Sequence, residues 1–123
     1  MYCRGIRGAT TVTDNSKEAV LSATKELLTS ILEANQVDPA DIASAFFTTT
    51  TDLNAEFPAA AARQMQWDNV PLLCGHEMNV PNALGMCLRV LLHVNTKKRQ
   101  EDIIHVYLHG ATALRPDIAQ QNG

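Results

Sequence analysis

Three arginines of this chain sit in apolar surroundings: Gly5-Ile6-Arg7-Gly8-Ala9, Leu88-Arg89-Val90 and Ala113-Leu114-Arg115-Pro116. A guanidinium near a core needs partners, because a desolvated charge is costly unless paired and hydrogen-bonded. Its planar fork matches carboxylates and phosphates bidentately. An internal ion pair is the plainest alternative. The apolar strands carry almost no acids, however, and only Glu77 lies close to a strand end. One glutamate cannot neutralise three guanidiniums. The pattern therefore points to a site for a small polyanion, one carrying more than one carboxylate.

The segment Cys74-Gly75-His76-Glu77 allows three readings. A metal site would need further ligands, which His105 and His109 could supply, but the spacing matches no zinc signature. A Cys/His nucleophile pair would need a base close to the thiol in space. A buried cysteine at a strand end beside a loop glutamate is favoured over both. Gly5-Ile6-Arg7-Gly8 lacks the spacing and following helix of a dinucleotide fingerprint and reads as a bulge or close contact. The sequence has no P-loop, no Gly-x-Ser-x-Gly and no His-Glu-x-x-His. Tyr107 suits donation to an anion or simple packing. Phe57 before Pro58 suits a pocket wall or a staple at a helix start. These residues describe an enzyme that works by positioning and electrostatics, or equally a small-anion sensor.

The elements that must hold these groups come from a chain of 123 residues, a length that suggests one domain over residues 1–123. Ten Lys and Arg against thirteen Asp and Glu give a formal charge of -3. No broad basic field is available, and 5% aromatic residues leave little for base stacking, so nucleic acid is not an expected partner. No apolar run approaches the ~20 residues of a spanning helix, and the start lacks the apolar core of a signal peptide. Cys3, Cys74 and Cys87 form no CxxC pair, which suits a reducing, cytoplasmic setting.

Residues 2–12 read as a first strand. Thr13-Asp14-Asn15-Ser16 offers N-cap candidates, Asn15 with Glu18 resembling a capping box, and a helix follows to about Asn35 with a stripe of Val20, Ala23, Leu27, Ile31 and Ala34. Residues 42–50 read as a second strand, Pro58 as the start of a short helix, and residues 70–74 as a third strand. Residues 75–82 look irregular, with a helical turn at 83–85. In residues 87–94 the even positions are wholly apolar, which puts Arg89 and His93 together on the other face. Lys97-Lys98-Arg99-Gln100 reads as a solvated basic turn, residues 103–108 as a last strand, and residues 117–123 as a flexible polar tail. Strands interspersed with helices predict an α/β fold.

The ordered motifs carry a further signal. Arg4-Gly5-Ile6-Arg7-Gly8-Ala9-Thr10-Thr11-Val12 resembles the start of the monofunctional chorismate mutases of the Bacillus type. The resemblance runs on through Phe57-Pro58-Ala59 with Arg63, Val70-Pro71, Cys74, Glu77-Met78 and Cys87-Leu88-Arg89-Val90. It ends with His105-Val106-Tyr107-Leu108 and Leu114-Arg115-Pro116-Asp117. It implies α/β subunits with a mixed β-sheet and a long helix in each, assembled as a homotrimer with a barrel-like core of three sheets and active sites between neighbours. It also implies rearrangement of chorismate to prephenate on the route to phenylalanine and tyrosine, without cofactor or metal.

By resemblance, Arg89 lies beside the breaking ether oxygen. Glu77 with Cys74 contacts the ring hydroxyl, and Arg7 and Tyr107 hold the side-chain carboxylate. Phe57, Ala59 and Leu114 form apolar walls, while Arg63 and Arg115 steer the dianion or close the mouth. The chain departs from the family pattern at Ala60, where lysine is frequent, and at Leu73, where threonine is frequent beside the ring-binding segment. A trimeric anion-binding module without turnover, and an imine- or enamine-hydrolysing trimer, are the competing functions. The mutase reading expects a rate nearly flat with pH while Glu77 is ionised, with no bell centred on histidine titration.

Overall fold

The structure, a computed structural model, describes residues 1–115. The tail expected at residues 117–123, with Pro116, lies outside the described residues. Five strands form one sheet: β1 (Tyr2–Thr11), β2 (Ile42–Thr49), β3 (Leu72–His76), β4 (Cys87–Thr96) and β5 (Val106–Tyr107). Their order is β3-β2-β4-β1-β5. β4 runs antiparallel to β1 and β2, while the β2–β3 and β1–β5 pairs are parallel. The sheet is thus mixed, and with α1 (Lys17–Asn35) and α2 (Ala59–Gln64) it makes the expected α/β fold.

Alternation along β4 decides which face is the core. Leu88, Val90, Leu92 and Val94 are all at most 3% exposed. They pack with Ile6 of β1, Ala45 and Phe47 of β2, and Val20, Leu27, Leu28 and Ile31 of α1. Gly8 lets α1 approach: a Cβ there would lie 2.6 Å from Cδ1 of Ile31 and 3.3 Å from the Val106 carbonyl oxygen. This is the close contact anticipated for the glycine-flanked first strand.

Several boundaries differ from expectation, each for a local reason. Ser16, not Asn15, caps α1, its hydroxyl accepting from the Ala19 N–H. Asn15 is occupied elsewhere, accepting from the backbone N–H groups of Asn54 and Ala55. β3 starts two residues late because Pro71 has no N–H and only its carbonyl joins the sheet, accepting from Ala45. It then runs on through Gly75 and His76, which had been read as irregular. No helical turn forms at 83–85; the chain turns one step earlier, with Asn82 left-handed at φ 66° and Ala83 N–H donating to the Val80 carbonyl. Arg115 follows a 3-10 helix (His109–Leu114) rather than lying in a strand-like stretch. Lys98 of the basic turn is docked, donating from Nζ to the Asn35 carbonyl at the C-terminal end of α1.

The last strand is the largest change: only Val106 and Tyr107 join the ladder. Residues 103–105 stay out of the ladder: the buried side chain of Asn35 takes over both backbone groups of Ile104. Its Oδ1 accepts from the Ile104 N–H (2.8 Å) and its Nδ2 donates to the Ile104 carbonyl (2.8 Å). Replacing Asn35 by leucine keeps the branched shape but orphans both groups. Asn35→Leu is expected to lower stability by about 2–4 kcal/mol in urea or thermal unfolding, and a loss below ~0.5 kcal/mol would contradict this role.

Candidate active site

The face of the sheet opposite the helices carries the polar groups, and strand register lines them up. Thr48 of β2 pairs with Arg89 of β4, Arg89 with Ala9 of β1, and Ala9 with Tyr107 of β5. One register step away, Phe46, Leu91 and Arg7 form a second row. The small Ala9 leaves room between Arg89 and Tyr107. The result is a cleft of about 380 Å³ lined by Arg7, Thr48, Glu77, Arg89, Tyr107, Leu114 and Arg115 among others.

Arg89 is about 40% exposed as a side chain, yet its Nε is out of water with no hydrogen-bond partner. Among the described residues it is the one buried side-chain polar atom so placed. The Glu77 carboxylate lies 3.7 Å from that Nε, an ion-pair contact too long for a hydrogen bond. Glu77 is held instead by the Thr48 hydroxyl, which donates to its carboxylate, and by its own N–H, which donates to the Thr49 carbonyl (2.8 Å). Among the described lining residues, three guanidiniums stand against one carboxylate, two formal positive charges in excess. An unpaired donor in a cationic hollow can bind and stabilise a developing oxyanion on a dianionic ligand.

Beneath Arg89, Cys87 packs with Ala9, Tyr107 and Ala111. Burial pushes its thiol above the ordinary range, only partly offset by the nearby Arg89 charge. It is therefore a neutral packing group. His105 lies behind Arg7, and burial, with the charges of Arg7 and Arg115, holds its pKa below the ordinary histidine value.

The other anticipated site residues are not in this cleft. Phe57, 65% exposed, and Cys74 line a second cleft of about 300 Å³ together with His76. Ala59 is buried in the core, Arg63 is exposed on α2, and Leu73 is 60% exposed on β3. The histidines are dispersed: His76 contacts Thr49, His93 contacts Ser44, and His109 pairs with Glu26 at 2.9 Å. Cys74, His76, His105 and His109 are not gathered into a metal-ligand group. Sequence reasoning missed Thr48, which a threonine run had marked only as β-forming. The available signal was alternation: Phe46 and Thr48 share a face, directly beside Arg89.

No helix among the described residues is long and apolar enough to cross a membrane. The family profile of chorismate mutase type I matches residues 3–118. The chain is 44% identical over 120 residues to chorismate mutase AroH of Bacillus subtilis, covering 97% of this chain and 94% of that protein. It is 47% identical over 116 residues to chorismate mutase AroH of Thermus thermophilus, covering 94% and 95%. The solved chorismate mutase from Clostridium thermocellum superposes with a TM-score of 0.88 at 49% identity, over 89% of this chain and 97% of that one.

The packing of Cys87 sets a test that needs no substrate. Maleimide labelling read by mass spectrometry should leave Cys87 unmodified in the folded protein and label it on unfolding. Rapid labelling of Cys87 in the native state would contradict a closed floor to the cleft.

Proposed function

The chain belongs to the type I chorismate mutase family, and we propose that it performs its reaction in the Arg89 cleft. The reaction is the isomerisation of chorismate to prephenate in aromatic amino-acid biosynthesis. It is intramolecular: the ether C–O bond breaks as a C–C bond forms, with no proton transfer and no covalent intermediate. The enzyme's task is to hold the compact conformer and to stabilise charge that develops in the transition state.

The observation that carries this reading is the unpaired, buried Nε of Arg89. A donor already desolvated and rigidly mounted on a central strand pays no reorganisation cost when negative charge grows on the ether oxygen. Glu77, across from it, contacts the ring hydroxyl and balances positive character on the ring. Arg7 and Tyr107 take the side-chain carboxylate, Leu114 forms a wall, and Arg115 guards the rim. The two net positive charges match the two carboxylates of the substrate. No cofactor or metal takes part.

Phe57, Arg63, Leu73 and Cys74 complete the site from a neighbouring subunit of a homotrimer, with the buried Ala59 backing them from the core. Support comes from the open face of the sheet and from exposed Phe46, Phe57 and Leu73, which a lone subunit leaves in water. The three sheets then face one another in a barrel-like core, each contributed by a single domain of residues 1–123. With three unpaired cysteines, the reducing cytoplasm is the compartment this reading assigns.

Loss of chorismate absorbance, followed with a chelator present, tests the assignment. Wild-type protein should turn over rapidly, and Arg89→Ala should lose about 100-fold or more in kcat, as for removal of an oxyanion-hole donor. A folded Arg89→Ala protein with near-normal kcat would contradict the mechanism. The cationic rim must prevail over the chain's net negative charge to draw in a dianion, and salt screens that local attraction, so kcat/KM should fall several-fold as salt rises from ~20 to ~200 mM. Light scattering should find a trimer; a fully active monomer would remove the shared site.

A further inference from the structure

The outer edge of β1 is completed by side chains before it is completed by a strand. At Gly5 the amide of Gln100 serves as the partner, accepting from the Gly5 N–H (3.1 Å) and donating to the Gly5 carbonyl (2.8 Å). At Arg7 the backbone N–H donates to Nδ1 of the His105 ring (3.0 Å). Only from Gly8 and Ala9 onward does backbone pair with backbone, through Val106 and Tyr107 and the Leu108 N–H to the Ala9 carbonyl (2.9 Å). The ring of His105 is therefore the last rung before the ladder of β5 begins.

That rung joins the two groups assigned to the same carboxylate. It fixes the backbone of Arg7 on one side. On the other it belongs to the short segment that carries Tyr107 two residues on. A two-residue strand at a sheet edge has few bonds of its own to fix its register. Asn35 holds Ile104 from the helix side, and His105 holds the Arg7 backbone at the sheet edge. Resting on the reading of the Arg89 cleft given above, we propose that His105 is a positioning residue. Its neutral imidazole, accepting at Nδ1, sets the spacing of Arg7 and Tyr107 and thereby the grip on the substrate's side-chain carboxylate.

The chemistry of the bond makes the role conditional on protonation. An N–H donor needs a lone pair on Nδ1, so the ring proton must sit on Nε2. Protonation puts a second N–H opposite the first and breaks the rung. Burial holds the ring's pKa below the ordinary histidine value, and among the described residues the charges of Arg7 from β1 and Arg115 after the last 3-10 helix add to that direction. The sign follows: the bond is intact at neutral pH and is lost only as pH falls below the ordinary histidine range. The expected profile of kcat/KM is a one-sided acid limb, not a bell.

Two variants and one spectroscopic reading test this in the full-length protein. Asparagine places an acceptor where Nδ1 stands, whereas leucine offers none. His105→Leu should lower kcat/KM about tenfold or more, mainly through KM, the scale of one lost buried hydrogen bond. His105→Asn should stay within about threefold of wild type and lose the histidine acid limb. Ring ¹⁵N spectra of the wild type should show the Nε2–H tautomer, and amide exchange at Arg7 should quicken in His105→Leu. These two readings need no turnover, so they separate a failure of this inference from a failure of the assigned reaction. An Nδ1–H tautomer, or an asparagine variant as impaired as the leucine one, would overturn it.

Discussion

A buried N–H without an acceptor costs a fold about 1–3 kcal/mol, and this fold carries one at Arg89. The cost is sustained because β4 lies at the centre of the sheet, hydrogen-bonded on both sides, with Leu88 and Val90 locked into the core. The backbone that carries this side chain is fixed from both sides. Glu77 is close enough to feel the charge but is tied to Thr48 and so does not close on the Nε. The unpaired donor is what the rest of the site is arranged around.

From that constraint the other features follow. Ala9 is small where a larger side chain would fill the gap between Arg89 and Tyr107. Cys87 beneath is neutral and packed, so it contributes floor rather than reactivity. Arg7 and Arg115 add positive charge at the edges. In the proposed mechanism the division of labour is between one cation whose Nε is out of water, acting on the transition state, and two peripheral cations acting on binding. The apolar residues resembling the remaining walls lie on β3 and around α2, away from this cleft, which is why a shared site between subunits is the economical reading.

Much of this was legible in the sequence because it depends on short-range periodicity. The even positions of β4 are apolar over four repeats, and that alone placed Arg89 on the open face. The long helix was equally plain from its spacing, and its end at Asn35 was met. What the sequence hid were contacts between distant residues. Asn35 withdraws Ile104 from the last strand across 69 positions, and no local pattern announces this. Ser16 caps α1 because Asn15 is engaged with the loop at Asn54 and Ala55. Thr48 and His105 matter through what they touch, Glu77 and the Arg7 backbone, so residue type gave no cue to either. Phe57 and Leu73 were named by family resemblance, and the single chain leaves both in solvent.

The most direct measurement separates binding the transition state from binding the ground state. Arg89→Gln keeps a polar side chain and removes the charge. Its kcat on chorismate can be set beside its Kd for prephenate, which carries the same number of carboxylates. Selective stabilisation of the ether oxygen predicts that kcat falls about 100-fold or more while the prephenate Kd changes less than about tenfold. A parallel loss in both would make Arg89 an ordinary anion-binding group and contradict its role in the chemical step.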